Sequence, residues 1–354
     1  MPIPEALFET AIVALAALAL LSNASVLLCF VHSADIRSHA AAIVVLNLSS
    51  SNILLACINM PATLLAVAAR GNPLGDACCQ AVSFAETFLT TNGMLSMAAL
   101  SVDRWAAVAF PLSYAARVGA REACAMVAYS WLHSAAFSLC GSLMSWGGYS
   151  HTYASCTLRY GGRRDVGAGG GVPGPGPAHA QYAAFAAFTA ALHGGGFLLC
   201  LAVMTLAYLK VLRVARLHCR RIDVVTVQTL LLLVDIHPSV KERCLAEQRK
   251  RRQRATKKIS IFIGSFVVCF APYVITRLLQ LVPHVHIHHY WGITTKCLTY
   301  AKAASDPFVY SLLRQQYRQV LVSITNRVLR RDRYSLSSNS TSSVTDTDVI
   351  SRVA

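Results

Sequence analysis

Seven stretches of this chain are apolar over a length that crosses a bilayer, at residues 8–31, 40–69, 84–110, 123–146, 182–212, 259–281 and 291–313. At 1.5 Å per residue, about 20 apolar residues span the roughly 30 Å hydrocarbon core. Inside that layer each backbone N–H and C=O must be bonded within the protein, so a single span of this kind becomes a helix. Charged residues make up 14% of the chain and hydrophobic residues 55%, against about 25% charged in a soluble domain. The expected fold is an all-α membrane protein, a seven-transmembrane helix bundle followed by a short amphipathic eighth helix. Residues 1–7 read as a short extracellular amino terminus, 8–313 as the membrane domain, 314–333 as the eighth helix and 334–354 as a disordered cytoplasmic tail. Within the membrane domain, 147–181 is the second extracellular loop and 213–257 the third intracellular loop.

Basic residues orient the bundle. From Lys210 to Lys258 there are 14 Lys/Arg against four acids, and Arg314, Arg318, Arg327, Arg330, Arg331 and Arg333 follow the last span. The connections after the second, fourth and sixth spans carry few, so the positive-inside rule puts the amino terminus outside and the carboxyl terminus in the cytosol, as expected of a plasma-membrane protein. The net charge of +16 is then a matter of membrane topology, with anionic lipid or an acidic protein surface as its partner rather than nucleic acid.

The third span holds one carboxylate, Glu86, and ends in Asp103-Arg104. Ionisable side chains at membrane depth face protein or water and are functional by default. Pro61, Pro272 and Pro307 interrupt spans and supply bends. Of 12 cysteines, Cys78, Cys79 and Cys156 face the oxidising side, where a bond from the outer end of the third span to Cys156 would fold the second outer loop over the bundle; Cys78 and Cys79 both qualify. The tract His284, His286, His288 and His289 is a weak zinc or pH-sensing candidate, solvated histidines being the plainer account, and no metal site is assigned. After the last span, Tyr317, Val320, Leu321, Ile324 and Leu329 recur at helical spacing among basic residues, an interfacial pattern.

Over residues 5–330 the chain resembles the rhodopsin-like (class A) G-protein-coupled receptors. The resemblance rests on Asn23 in the first span, Leu48 and Asn52 in the second, Cys79 and Asp103-Arg104 in the third, Trp131 in the fourth, Tyr208 in the fifth, Cys269-Phe270-Ala271-Pro272 in the sixth and Asp306-Pro307-Phe308-Val309-Tyr310 in the seventh. It implies a Cys79–Cys156 disulfide and an activation switch made of Asn23, Asn52, Asp103, Arg104, Tyr208, Arg252, Phe270, Pro272, Asp306, Pro307 and Tyr310. It also implies a ligand pocket near Glu86, Phe270, Arg277 and Tyr300. A heterotrimeric G protein is the implied partner, with arrestin and receptor kinases at the tail. No cofactor and no enzymatic chemistry are implied.

Departures from the family pattern sharpen these expectations. Asn52 and Asp306 exchange the amide and carboxylate that the family usually carries, and Gly93 stands where a hydroxyl often helps, which argues against the family's common sodium-binding arrangement. Arg252 faces Arg104 where a Glu often stands, and like charges there weaken an inactive latch. High basal activity follows, with the stimulatory G protein and cyclic AMP favoured by likeness to orphan members of the family. Glu86 sits where amine receptors hold their counter-ion, so a cationic small molecule is the alternative to an internal partner, for which Arg277 is the expectation. A non-signalling partner or scaffold protein, and a transporter or channel, are the other classes. Arg104, Tyr208 and Tyr310 count against the scaffold, and the lack of repeat symmetry or a charged file against transport.

Overall fold

The computed structural model describes residues 3–110, 113–114, 118–160, 177–232, 260–283, 285–312 and 315–327. Helix α1 runs Ile3–His32, and a one-turn helix, Ala34–Ser38, capped by the Ser33 hydroxyl, leads into α2 at Ala40–Ala69. Then come α3 at Gly75–Ala109, α4 at Ala120–Leu143, and a two-stranded antiparallel hairpin of β1 (Gly147–Ser150) and β2 (Ser155–Leu158). Helix α5 covers Pro177–Thr189, a π-helical segment Ala190–Gly195 and Gly196–Leu232. Helix α6 spans Ser260–Leu279. Helix α7 runs His289–Pro307, continues as a π turn over Phe308–Leu312, and is followed by α8 at 315–327.

Five of these helices are long and apolar enough to cross a membrane on composition alone, namely α1, α2, α4, α5 and α6. The two that fall short, α3 and α7, carry most of the buried charge: Glu86 and Asp103 on α3, and Lys296, Lys302 and Asp306 on α7, with Arg277 buried on α6. Helix α3 packs against α2, α4 and α5, so its polar residues stay away from lipid. Leu7, Leu18, Leu21, Leu132, Leu143, Leu199, Val268 and Ile275 instead project outward, and such an exposed apolar belt is stable only in lipid.

Helix α4 buries little beyond a stripe of small residues, Ala123, Ser130, Ser134, Ser138 and Gly141, which lets its backbone approach α3 closely. The hairpin lies across the bundle at the end away from Arg104. Cys79 of α3 and Cys156 of β2 form the disulfide that fixes it there, and Cys78 is a free, exposed thiol. At the hairpin turn, a Cβ on Gly292 of α7 would lie 1.9 Å from the Thr152 carbonyl oxygen, so this contact requires glycine. Arg252, His284, the basic run before α6 and the tail from 328 onward, all singled out in the sequence, lie outside the described residues. The expected amphipathic eighth helix is present as a helix, with Tyr317 buried on its inner side. The π segment in α5 was not foreshadowed; it falls where His193 is followed by Gly194, Gly195 and Gly196, residues that tolerate the widened turn.

Candidate functional site: two buried ion pairs in one polar core

Glu86 sits about three turns into α3, beneath the hairpin. Its carboxylate forms an ion pair with Lys296 of α7, the two side chains being 9% and 1% exposed. The same oxygen, Oε1, accepts hydrogen bonds from the Tyr273 hydroxyl at 3.2 Å and the Thr157 hydroxyl at 3.4 Å, while Oε2 makes none. The Lys296 ammonium also lies 5.4 Å from the Tyr273 ring centre and 5.7 Å from that of Tyr300. Tyr300 bonds the Thr63 hydroxyl at 2.7 Å, which ties α7 to α2. Arg277 does not pair with Glu86 as expected. Its Nη2 donates to the Leu158 carbonyl on β2 at 2.6 Å and its guanidinium lies 5.4 Å from the Tyr153 ring centre. A carbonyl at the end of the hairpin thus claims the cation that sequence reasoning gave to Glu86. Burial raises the Tyr153 phenol well above the ordinary tyrosine value, with the Arg277 charge opposing, and the neutral hydroxyl donates to Gln280 at 3.1 Å.

The second ion pair lies deeper. Lys302 and Asp306 are one turn apart on α7, with side chains 2% and 4% exposed. Asn52 Nδ2 donates to Asp306 Oδ2 at 3.2 Å and to Asn23 Oδ1 at 3.3 Å. Asn23 in turn donates to the Ala303 carbonyl at 3.0 Å. The expected Asn52 and Asp306 pair is therefore in direct contact, with Asn23 behind it, and α1, α2 and α7 meet through three side chains. A small cavity of about 20 Å³ adjoins them, lined by Asn52, Thr90, Gly93, Phe270, Lys302 and Asp306 among others. That is room for about one water molecule. Phe270 is part of its wall and starts a series of ring contacts that runs down α6 toward the Arg104 end, Phe270 to Phe266 at 5.2 Å and Phe266 to Phe197 at 5.3 Å.

Below the cavity the Lys302 ammonium is 5.7 Å from the Tyr310 ring centre. Tyr310 meets Phe262 edge-on at 4.6 Å, and Phe262 meets Tyr208 at 4.9 Å. Tyr208 and Tyr310, named from sequence, are joined by a residue that was not. At the end of α3, Arg104 lies 3.6 Å from Asp103, whose other oxygen accepts from the Tyr114 hydroxyl at 2.6 Å. Arg104 is one-third exposed while Asp103 is buried, and Arg104 Nη2 has no hydrogen-bond partner among the described residues. Lys210 of α5 sits 4.6 Å above the Trp105 ring. Pro272 lies within α6 and Pro307 closes α7 ahead of the π turn, so both hinges fall beside this column.

A third polar cluster was missed altogether. Asn92 of α3 accepts from Ser130 at 2.7 Å and donates to Ser51 at 2.7 Å, while Asn47 accepts from Trp131 Nε1 at 2.7 Å and donates to Ser96 at 2.9 Å. The signal available was an Asn among small residues at membrane depth, where an unbonded amide is costly. Of the histidine tract, His288 stacks on Tyr290 at 5.2 Å and His289 bonds the His151 carbonyl. Among the described residues no group of three metal-binding side chains comes together.

Comparison with known proteins yields four results of one kind. The profile of the 7 transmembrane receptor (rhodopsin family) matches residues 22–310. The chain is 56% identical over 312 residues to the Homo sapiens G-protein coupled receptor 26, covering 88% of each chain. It is 49% identical over 327 residues to the Homo sapiens G-protein coupled receptor 78, covering 92% of this chain and 86% of that one. At greater distance it is 23% identical over 293 residues to the Mus musculus 5-hydroxytryptamine receptor 5B, covering 77% and 73%.

Proposed function

This chain belongs to the rhodopsin family of seven-transmembrane receptors, and on that premise we propose that it drives its G protein without an external agonist, through the stimulatory class and cyclic AMP. It is a multi-pass membrane receptor that signals through heterotrimeric G proteins and is not an enzyme. The observation that carries the proposal is the Lys296 ammonium on Glu86. An amine agonist would supply a cation to that carboxylate; here α7 already supplies one, and links α3 to α7 permanently. Further down α7, the Lys302 and Asp306 pair lines one cavity with Phe270, and Tyr310, Phe262 and Tyr208 follow in contact below it, flanked by hinges at Pro272 and Pro307.

At the Arg104 end the guanidinium is held only by its own neighbour Asp103 among the described residues, at a length of 3.6 Å and one-third exposed. With Asp103 Oδ2 making no hydrogen bond among the described residues, the contact is a loose restraint on release of Arg104 toward a partner. The hairpin end faces outward and the Arg104 end the cytosol in this reading, in keeping with the basic residues of 210–258. Cyclic AMP should climb with receptor density at the surface and fall to the level of untransfected cells in Arg104→Ala at matched density. A response that stays flat across expression levels refutes the stimulatory assignment.

The free Oε2 of Glu86 favours a second reading, a receptor for a cationic small molecule that shares the carboxylate with Lys296. The two readings part on Lys296→Met: loss of basal output supports the built-in cation, whereas unchanged basal output with a newly gained response to simple aryl-ethylamines supports the ligand site.

A further inference from the structure

Asp306 is a carboxylate placed where lipid and protein surround it on every side, and such a group needs a cation or a proton. Both of its oxygens are engaged from within the chain: Oδ1 by the Lys302 ammonium and Oδ2 by Asn52 Nδ2 at 3.2 Å. The space left beside them, about 20 Å³, holds about one water molecule. A monovalent metal ion needs several oxygen ligands arranged around it, and the lining does not furnish them with Lys302 in place. The lining residues with side-chain oxygens, Asp306, Asn52, Thr90 and Thr299, can gather round such an ion only once the ammonium is gone, and Gly93 adds no ligand of its own.

We infer that Lys302 is a tethered counter-cation, its ammonium standing where a mobile sodium ion would otherwise neutralise Asp306, so that this receptor's ground state is independent of sodium. The spacing suits the role. Lys302 and Asp306 are i and i+4 on α7, the separation at which helix side chains meet, and α7 carries both ends of the pair through any movement. The charge balance at the hinge around Pro307 is therefore intrinsic to one helix. A diffusible ion could leave as the helices rearrange; this one cannot. Contact with the Tyr310 ring at 5.7 Å passes the ammonium's position to the turn that follows.

The test uses the full-length receptor in detergent micelles and needs no ligand or G protein, so its outcome is separate from that of the signalling proposal. Thermal unfolding is measured in sodium chloride and in choline chloride at equal ionic strength. Wild type should unfold at the same midpoint in both. Lys302→Met removes the charge and frees the ammonium's space, and its midpoint should climb with sodium by about 2–4 °C, while Lys302→Met with Asp306→Asn should lose that response. A sodium-dependent midpoint in wild type overturns the inference, and so does a folded Lys302→Met that ignores sodium. If Lys302→Met does not reach the membrane, Lys302→Gln replaces it, and the wild-type comparison stands as a test in its own right.

Discussion

Glu86 and Lys296 form the tightest constraint at the scale of single residues. A charge left unpaired at this depth costs about 3–5 kcal/mol, so Glu86→Gln and Lys296→Gln should lower surface expression and disturb basal output alike, whereas Glu86→Lys combined with Lys296→Glu should recover part of both. Flow cytometry on an amino-terminal tag and a cyclic AMP assay read the two quantities. Arg277→Gln should behave differently, because Arg277 anchors the hairpin through the Leu158 carbonyl and its loss loosens a loop. Asn52 and Asp306 are a second unit. Asn52→Asp places another carboxylate beside Lys302, Asp306→Asn removes the one Lys302 neutralises, and together they carry the carboxylate from α7 to α2. A double-mutant cycle in thermal stability should show coupling of about 0.5–3 kcal/mol. Sequence pattern reached the contact between Asn52 and Asp306 and the burial of Glu86. It passed over Lys296 and Lys302, although two lysines in a span were themselves the signal, because Arg277 offered an equally plausible cation for Glu86.

At the scale of elements, the hairpin is held by one covalent and one steric device. The Cys79–Cys156 bond closes a separation of 77 residues, and losing a native disulfide costs about 2–5 kcal/mol in small secreted domains. Cys79→Ala and Cys156→Ala should cut surface expression equally and Cys78→Ala should leave it near wild type, as non-permeabilised antibody staining would show. Gly292→Ala drives a methyl into the Thr152 carbonyl and should lower stability by about 1–3 kcal/mol. Gly196→Ala supplies a matched control: a Cβ there meets nothing within 4 Å, and alanine is the better helix former. Helix positions were legible because apolar length is a strong signal at membrane depth. The π segment was not, since His193 to Gly196 lacks a local preference for π over α geometry, and the register shift is imposed by packing against Leu278 and Tyr273.

For the whole molecule, the two helices that hydropathy alone would reject, α3 and α7, are its functional axis. Their polar residues lower apolar content and at the same time bind them to each other, so they stand out less by hydropathy than the other five, although both are still apolar stretches of spanning length. Helix α5, continuous from Pro177 to Leu232 apart from its π segment, was expected to end near 212. The stretch 224–232, well past that expected end, belongs to the same helix. Its 56 residues would measure about 84 Å, nearly three bilayer cores, so it projects well beyond the membrane.

The ammonium on Glu86 also fixes what a chemical screen can find. An added amine must compete with one carried on the same molecule, whose effective concentration is about millimolar for a short flexible tether and higher for one already held in place. If both ammoniums bind the carboxylate equally well, the apparent dissociation constant of the added amine cannot fall below that concentration. Simple amines that bind the carboxylate no better than Lys296 will therefore come back empty on wild type when tried at micromolar levels, and the compounds worth making are those that do not rely on Glu86.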